Sequence, residues 1–456
     1  MKTPSFIYLI GLLLSCFFLT SCKDETRRIV WSPNGESATL LAGNSLHLMD
    51  SKGNATDLLT DGIIAAEWVN DEKLLVIRKE TVSWEEAQTI LGKERSEKLV
   101  SDAETLLAEA ASANPEELED LVGVHSVFYL LPYLLNERRE ETLALFKKAG
   151  GGETDEVDEQ EIEEASMLHF LQSETHSWNG TELGEPIKVD ASILVNFLTE
   201  NGHVSLLMHP DGTHSLLSIE EAYSPGIWLL DLENGKKATR IAGGETALFP
   251  DWTPNGKNIV YTRGVPDSRF GEIVAQKIFD DSGALVVEQA EVLVYTPFHM
   301  AMRTRCLENG NVLFAAPEWN LPSPPADGPI SDQLFELDMQ RPGVVNRVLS
   351  SSALVGLPDS ISFFELSPDK MKMLVASTGD SKVFTLSLNG EPKALQEHDL
   401  GKLRWMPTWR NTEEICLLVK DESGSLQAAI RNGDETQIIS GNWSPAIRKE
   451  LLSETE

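Results

Sequence analysis

An all-β fold is what the 456-residue sequence predicts. Three observations predict it. A short turn motif recurs behind an aromatic strand end, its copies stand roughly 35 to 55 residues apart, and each interval holds four short strand-like runs. The first copy lies in RRIVWSPNGESATLLAGNSLHLMDSKGNATDLLT. Trp31 ends a strand, Ser32-Pro33-Asn34-Gly35 turns the chain, and strands resume at 39–41 and 46–49. Ser51-Lys52-Gly53-Asn54 then turns it back. Proline presets the first turn dihedral and glycine takes the positive one, so this tetrapeptide turns for a mechanical reason.

The same order returns downstream. Residues 248–252 lead into Thr253-Pro254-Asn255-Gly256 and the strand 258–261, and residues 363–366 lead into Ser367-Pro368-Asp369-Lys370 and the strand 373–375. Weaker copies run from 67–71 into 74–77 and from 405–409 into 415–418. Outer hairpins repeat as well, in WLLDLENGKKATRI, FELDMQRPGVVNRV and FTLSLNGEPKAL. One four-stranded unit cannot bury both of its faces, whereas units stacked round a ring bury each other's. The prediction is a β-propeller of about seven four-stranded antiparallel blades. Their expected bounds are 29–61, 62–189, 190–244, 245–295, 296–350, 351–398 and 399–443, with a tail at 444–456. The interval 296–350 lacks a clear proline turn, which leaves six or eight blades as alternatives.

WSPNGES, WTPNGKN and LSPDKMK are similar to the repeats of TolB-type propellers. That resemblance implies a fold and a cell-envelope binding or scaffolding role. It implies no catalytic residue, because the repeat's proline and glycine serve a turn. The wider group includes periplasmic scaffolds and the propeller caps of some peptidases. This chain departs from both in carrying a long insertion and no separate accessory domain.

Within the second blade, residues 84–171 change from period two to helical period. Helices are expected at 84–112, 115–148 with a kink at Pro132, and 158–172. Asn114-Pro115-Glu116-Glu117 supplies a cap, a first-turn proline and favourable carboxylates. Gly150-Gly151-Gly152 breaks the second helix from the third. Residues 81–174 carry a net charge of about −16 by side-chain count. The acidic run 153–164 lacks the register of a calcium loop and reads as a solvated face. The apolar stretch VFYLLPYLL (127–135) is too short to span a bilayer. It has two readings, a buried seam between helices or a partner-docking face made by Val127, Phe128, Tyr129, Leu131, Tyr133 and Leu134.

At the N-terminus, Lys2 precedes an apolar run at 6–19, and Leu19-Thr20-Ser21-Cys22 follows. This is the order of a secretory signal. LTSC resembles the bacterial lipobox, whose cysteine receives diacylglycerol and becomes the first residue of the mature protein. The resemblance implies removal of 1–21, lipidation of Cys22, a short tether at 22–28 and a membrane contact made through lipid. An Asp directly after the cysteine is the inner-membrane retention cue in some bacteria. Here Asp24 stands one place later, so the outer membrane is preferred.

The formal net charge of −34 repels phosphate backbones, so no nucleic-acid partner is expected. Cys306 and Cys416 lie in separate apolar strands and read as buried thiols. His203, His209 and His214 flank the HPDGTH turn without a carboxylate at ligand spacing, so no metal is assigned. No GxSxG elbow and no phosphate-cradling loop occurs, and no cofactor is expected. Two classes of function follow. One is a non-catalytic binding or scaffolding propeller with a protein partner in the envelope. The other is an envelope hydrolase or lyase whose site lines the propeller funnel. A convergent pocket of acids, histidines or arginines would favour the enzyme.

Overall fold

The computed structural model describes residues 29–59, 62–113, 125–149, 159–196, 203–220, 222–234, 237–243, 247–265, 270–297, 302–317, 332–348, 363–377, 382–388, 395–398, 402–403, 407–420, 426–433, 435–439 and 443–453. Seven antiparallel sheets account for its strands, each built from consecutive strands paired in chain order. The blades span 29–59, 63–194, 203–243, 248–297, 302–347, 363–398 and 402–438. In the seventh, the innermost strand is split, so that Lys402–Leu403 and Thr408–Trp409 both pair with Glu414–Lys420.

Period-two alternation sends neighbouring side chains to opposite faces, and here each face meets a different blade. Leu41 packs toward blade 2 while Leu40 packs toward blade 7. Leu217 faces blade 2 and Leu216 faces blade 4. Phe364 faces blade 5 and Phe363 faces blade 7. Seven buried clusters fill the seven seams, including the one between the last blade and the first. The ring is therefore closed.

The proline turns share one hydrogen-bond plan. Ser32 N donates to Ser37 O at 2.8 Å and Gly35 N to Ser32 O at 2.8 Å. The Ser32 hydroxyl lies 2.8 Å from Asn34 Oδ1 and 2.9 Å from Ser37 O. Thr253 repeats this with Asn255 at 2.8 Å and Asn258 O at 3.0 Å, and Ser367 with Asp369 at 2.6 Å and Lys372 O at 3.1 Å. HPDG is a further copy. His209 N donates to His214 O and Gly212 N to His209 O, both at 2.9 Å, with His209 Nδ1 replacing the hydroxyl at 2.5 Å from Asp211 Oδ1. Blade 5 makes the turn without proline, through Leu307–Gly310, where Gly310 N donates to Leu307 O at 2.9 Å.

The helical segment differs in detail from the expected 84–112, 115–148 and 158–172. Its helices are α1 (Trp84–Leu91), α2 (Lys93–Ser112), α3 (His125–Glu137), α4 (Arg139–Ala149) and α5 (Glu159–Ala165). Gly92, at φ 73°, separates α1 from α2, and Pro132 lies inside α3. Ser83 and Glu86 form a reciprocal capping box at the start of α1, which the Ser-x-x-Glu spacing encodes. Strand Leu168–Ser177 replaces the end of the third expected helix, because it pairs along its whole length with Lys73–Val82. Strand Ile187–Leu194 belongs to blade 2, so that blade closes past residue 189. The Asn114-Pro115 start and the three glycines at 150–152 lie outside the described residues.

The segment after blade 7 contains α6 (Pro445–Ser453). Trp443, Ile447 and Leu451 join Ile29, Leu40 and Met49 of blade 1 and Leu418 and Ile430 of blade 7 in one cluster. Trp443 Nε1 donates to Gly53 O at 2.7 Å. A Cβ on Gly53 would stand 1.2 Å from Ile439 O, so only glycine fits this seam. Gly53→Ala should lower stability by about 2–3 kcal/mol, from strain at φ 80° plus overpacking. Gly283→Ala, at φ 82° with open space around it, should cost only the backbone strain, about 1 kcal/mol. Urea unfolding of the two variants checks this; equal losses would show that the seam is not tightly closed.

Candidate functional site

Topology gives the ring two unlike ends. The first strand of every blade runs to the tight-turn end, and the second runs back. The connections between second and third strands, and those between blades, therefore all leave from the opposite end. These include the insertion between Val82 and Leu168 and the connections 318–331 and 349–362. At the tight-turn end, neighbouring turns bond to one another. Asn34 N donates to Asp71 Oδ1 at 2.9 Å, Arg410 Nε to Gly35 O at 3.0 Å, and His209 Nε2 lies 2.9 Å from Gly256 O. The turns between first and second strands are short and interlocked, although the connections 178–186 and 278–290 also leave from this end.

The insertion is fixed to the loop-bearing end. Trp84, Ala87, Leu99, Leu106 and Ile162 share a buried cluster with Val82, Leu168, Phe170 and Leu194 of blade 2. Trp84 meets Tyr133 edge-on, with ring centroids 5.0 Å apart. Arg95 Nη2 donates to Ser192 O at 2.6 Å, and Tyr223 of blade 3 donates to Asp102 Oδ2 at 3.1 Å. Burial, followed by the nearby Asp102 charge, raises the Tyr223 pKa and keeps its phenol a donor. Leu131, Tyr133 and Leu134 lie in this interior, where they hold helices together and present no exposed surface. The side chains of Val127, Phe128 and Tyr129 lie outside the described residues, as does Cys22.

A second group of polar residues lies on the innermost strands of blades 4 to 6. Arg305 grips Glu365 with two parallel bonds, Nε to Oε1 at 2.7 Å and Nη2 to Oε2 at 2.8 Å. Arg303 Nη1 reaches Glu365 Oε2 at 3.1 Å, and its guanidinium lies 4.5 Å from the centroid of the Phe363 ring. Arg305 also donates to Thr304 O at 2.8 Å. Asp251 accepts from Cys306 N at 2.6 Å and Trp252 N at 3.0 Å. Burial raises the Asp251 pKa, against the pull of Arg305. Both arginines are buried, and their shared carboxylate ties blade 5 to blade 6. Burial also raises the Cys306 thiol, with Asp251 adding to it, and holds Cys416 at about 12, so neither offers a thiolate nucleophile near neutrality. The cluster is a convergent set of arginines and acids, yet its described geometry is that of a cross-link between strands.

The histidines of the HPDGTH turn are likewise committed. His209 uses its two ring nitrogens toward Asp211 and Gly256 and packs edge-on against Trp252 at 4.6 Å. His214 Nδ1 lies 2.7 Å from Thr213 Oγ1. The side chain of His203 lies outside the described residues. Among the described residues no group of three metal-ligating side chains converges.

The chain is a seven-bladed β-propeller carrying a docked helical insertion in its second blade. No protein-family model matches the sequence, and no curated protein matches it. Solved structures do match. TolB from Acinetobacter baumannii is 18% identical, over 58% of this chain and 57% of that one, with a TM-score of 0.41. A puromycin hydrolase is 8% identical, over 98% of this chain and 56% of its own, with a TM-score of 0.51. An oligogalacturonate lyase in complex with manganese is 14% identical, over 82% and 76%, with a TM-score of 0.39. The chain thus spans just over half the length of the TolB and puromycin hydrolase chains. Likeness at 8% identity is a likeness of fold.

Two outcomes test these assignments. Glu365→Ala removes the carboxylate that two buried guanidiniums share, and should destabilise the ring by about 3–5 kcal/mol. Glu413→Ala, at an exposed ion pair with Lys372, should leave the urea midpoint nearly unchanged. At the foot of the insertion, His169 Nδ1 lies 3.1 Å from Thr81 Oγ1. Burial first, and the Lys79 charge second, pull its pKa from 6.5 down to about 4. A folded value below the unfolded one means that the unfolded chain binds the proton first. His169 therefore imposes no penalty above pH 6.5, and stability is lost as pH falls from 6.5 through 4. Allowing for partial exposure, the loss is on the order of 1–2 kcal/mol. His169→Gln should flatten that part of the pH–stability curve; an unchanged slope would assign the loss to other groups.

Proposed function

We propose that this chain is a lipid-anchored protein of the bacterial cell envelope, facing the periplasm and held to the outer rather than the inner membrane through Cys22. Its propeller is read as a non-catalytic, TolB-like binding or scaffolding module that engages a protein partner in the envelope. The observation that carries the binding reading is the division of labour between the two ends of the ring. At one end first turns of neighbouring blades bond to one another, while at the other a helical insertion is docked on blade 2. An insertion held on a rigid ring in this way suits protein recognition. Leu131, Tyr133 and Leu134 belong to the insertion's interior. The partner surface is accordingly assigned to the outer faces of the insertion, with Val127, Phe128 and Tyr129 retained as candidate contacts.

The alternative, a hydrolase or lyase with its site in the funnel, has one feature in its favour, the convergence of Asp251, Arg303, Arg305 and Glu365. The bonds of both arginines to Glu365, and of Asp251 to the Cys306 and Trp252 backbone N–H groups, favour a structural role instead.

Cys22→Ala should move the protein from the membrane fraction to the soluble fraction, or leave it unprocessed. Detergent-dependent membrane association of the variant would refute the anchor. Affinity capture from detergent-solubilised envelopes, with and without residues 84–165, should recover a specific partner only with the insertion present. The same partner on the deleted form would place binding elsewhere on the ring.

A further inference from the structure

The proposed anchor and the insertion leave the ring at the same end. Strand Ile29–Trp31 is the first strand of blade 1 and runs toward the tight turn Ser32–Ser37, so Ile29 enters at the loop-bearing end. Strand Lys73–Val82 runs away from its own tight turn and delivers the chain into α1 at that same end. Blades 1 and 2 are neighbours sharing a buried seam, so the entry point stands beside the blade that carries the helices.

Lengths then decide the arrangement. Six residues, 23–28, separate Cys22 from Ile29 and reach at most about 20 Å when fully extended. The insertion is docked on blade 2 and tied to blade 3. One helix has a diameter of about 10–12 Å, so a helix layer fits within that reach. We infer that the insertion-bearing end of the ring faces the membrane, that the helices occupy the gap between ring and bilayer, and that the tight-turn end points into the open compartment. This inference rests on the lipid-anchor reading above.

The surface opposite the top of the insertion is the lipid that holds the chain's own acyl groups, which leaves the flanks of the helices to the envelope partner. Contact is not adhesive. Glu85, Glu86, Glu94, Glu97, Glu104 and Glu109 are exposed on α1 and α2, and they oppose an anionic headgroup layer. The insertion is thus a spacer held near the bilayer by the tether, and the gap should widen on anionic lipid at low salt.

The test uses the full-length protein, matured and lipidated in a bacterial host and added to preformed phosphatidylcholine vesicles containing a headgroup-labelled acceptor lipid. A donor dye is placed at Ser101→Cys on α2 or at Lys52→Cys in a tight turn of blade 1; both parent residues are exposed. Cys306 and Cys416 are buried. The two sites differ in height by at least one strand length, about 20 Å. Energy transfer to lipid should be roughly twofold or more higher from position 101 than from position 52. A flexible linker of about 30 residues inserted at 23–28 should erase the difference. Equal or greater transfer from position 52, on protein that floats with the vesicles, would overturn the orientation while leaving the anchor intact. Protein that fails to float when Cys22 is present would overturn the anchor and the orientation together.

Discussion

Everything in this molecule depends on blades burying one another's faces. A four-stranded blade has an apolar residue at nearly every central position, on both sides, and neither side is tolerable in water. Stacking solves six seams in chain order, but the seventh joins segments separated by the whole length of the chain. The residues that close it are contributed by blade 7, blade 1 and α6 together. Trp443 is bonded to Gly53, 390 positions earlier, and Arg410 to Gly35. With that seam closed, the inner strands adopt fixed positions, the tight turns can bond to one another, and the insertion has a rigid floor.

The polar features fit the same constraint. Arg303 and Arg305 are buried, Glu365 is partly so, and a bidentate pair bridges the inner strands of blades 5 and 6 with defined geometry. His209 does comparable work between the turns of blades 3 and 4. The acidic surface is largely separate from these bonds, and it serves solubility and repulsion rather than the fold.

Much of the ring was legible because its turns are chemically specified. Ser or Thr, Pro, Asn or Asp, and Gly each have a distinct role in the same hydrogen-bond plan, so WSPNG and WTPNG announce themselves. HPDG is harder to read as a copy because histidine replaces the hydroxyl, although Pro, Asp and Gly remain. The turn at Leu307–Gly310 lacks proline and shows only its glycine. The stretch EIEEASMLHFLQ carries helical and alternating patterns in succession, and pairing with Lys73–Val82 decided where one gives way to the other. The Arg–Glu cross-link was illegible for a different reason: its partners lie 60 and 62 positions apart on separate blades, and no local periodicity connects them. Likewise, the run 127–135 could be read as apolar, but the sequence alone could not choose between a buried seam and a docking face, since the neighbours of Leu131, Tyr133 and Leu134 are set by tertiary packing.

The placement of α6 has a temporal consequence. Blade 1 is the first part of the ring to emerge from a ribosome, yet the side chains that cover its outer seam are among the last. Until Leu418, Ile430, Trp443, Ile447 and Leu451 arrive, Ile29, Leu40 and Met49 have no permanent cover. The nascent chain is therefore an open arc with two adhesive ends, liable to join the matching end of a second copy. The seam is complete only when blade 7 and α6 are both in place.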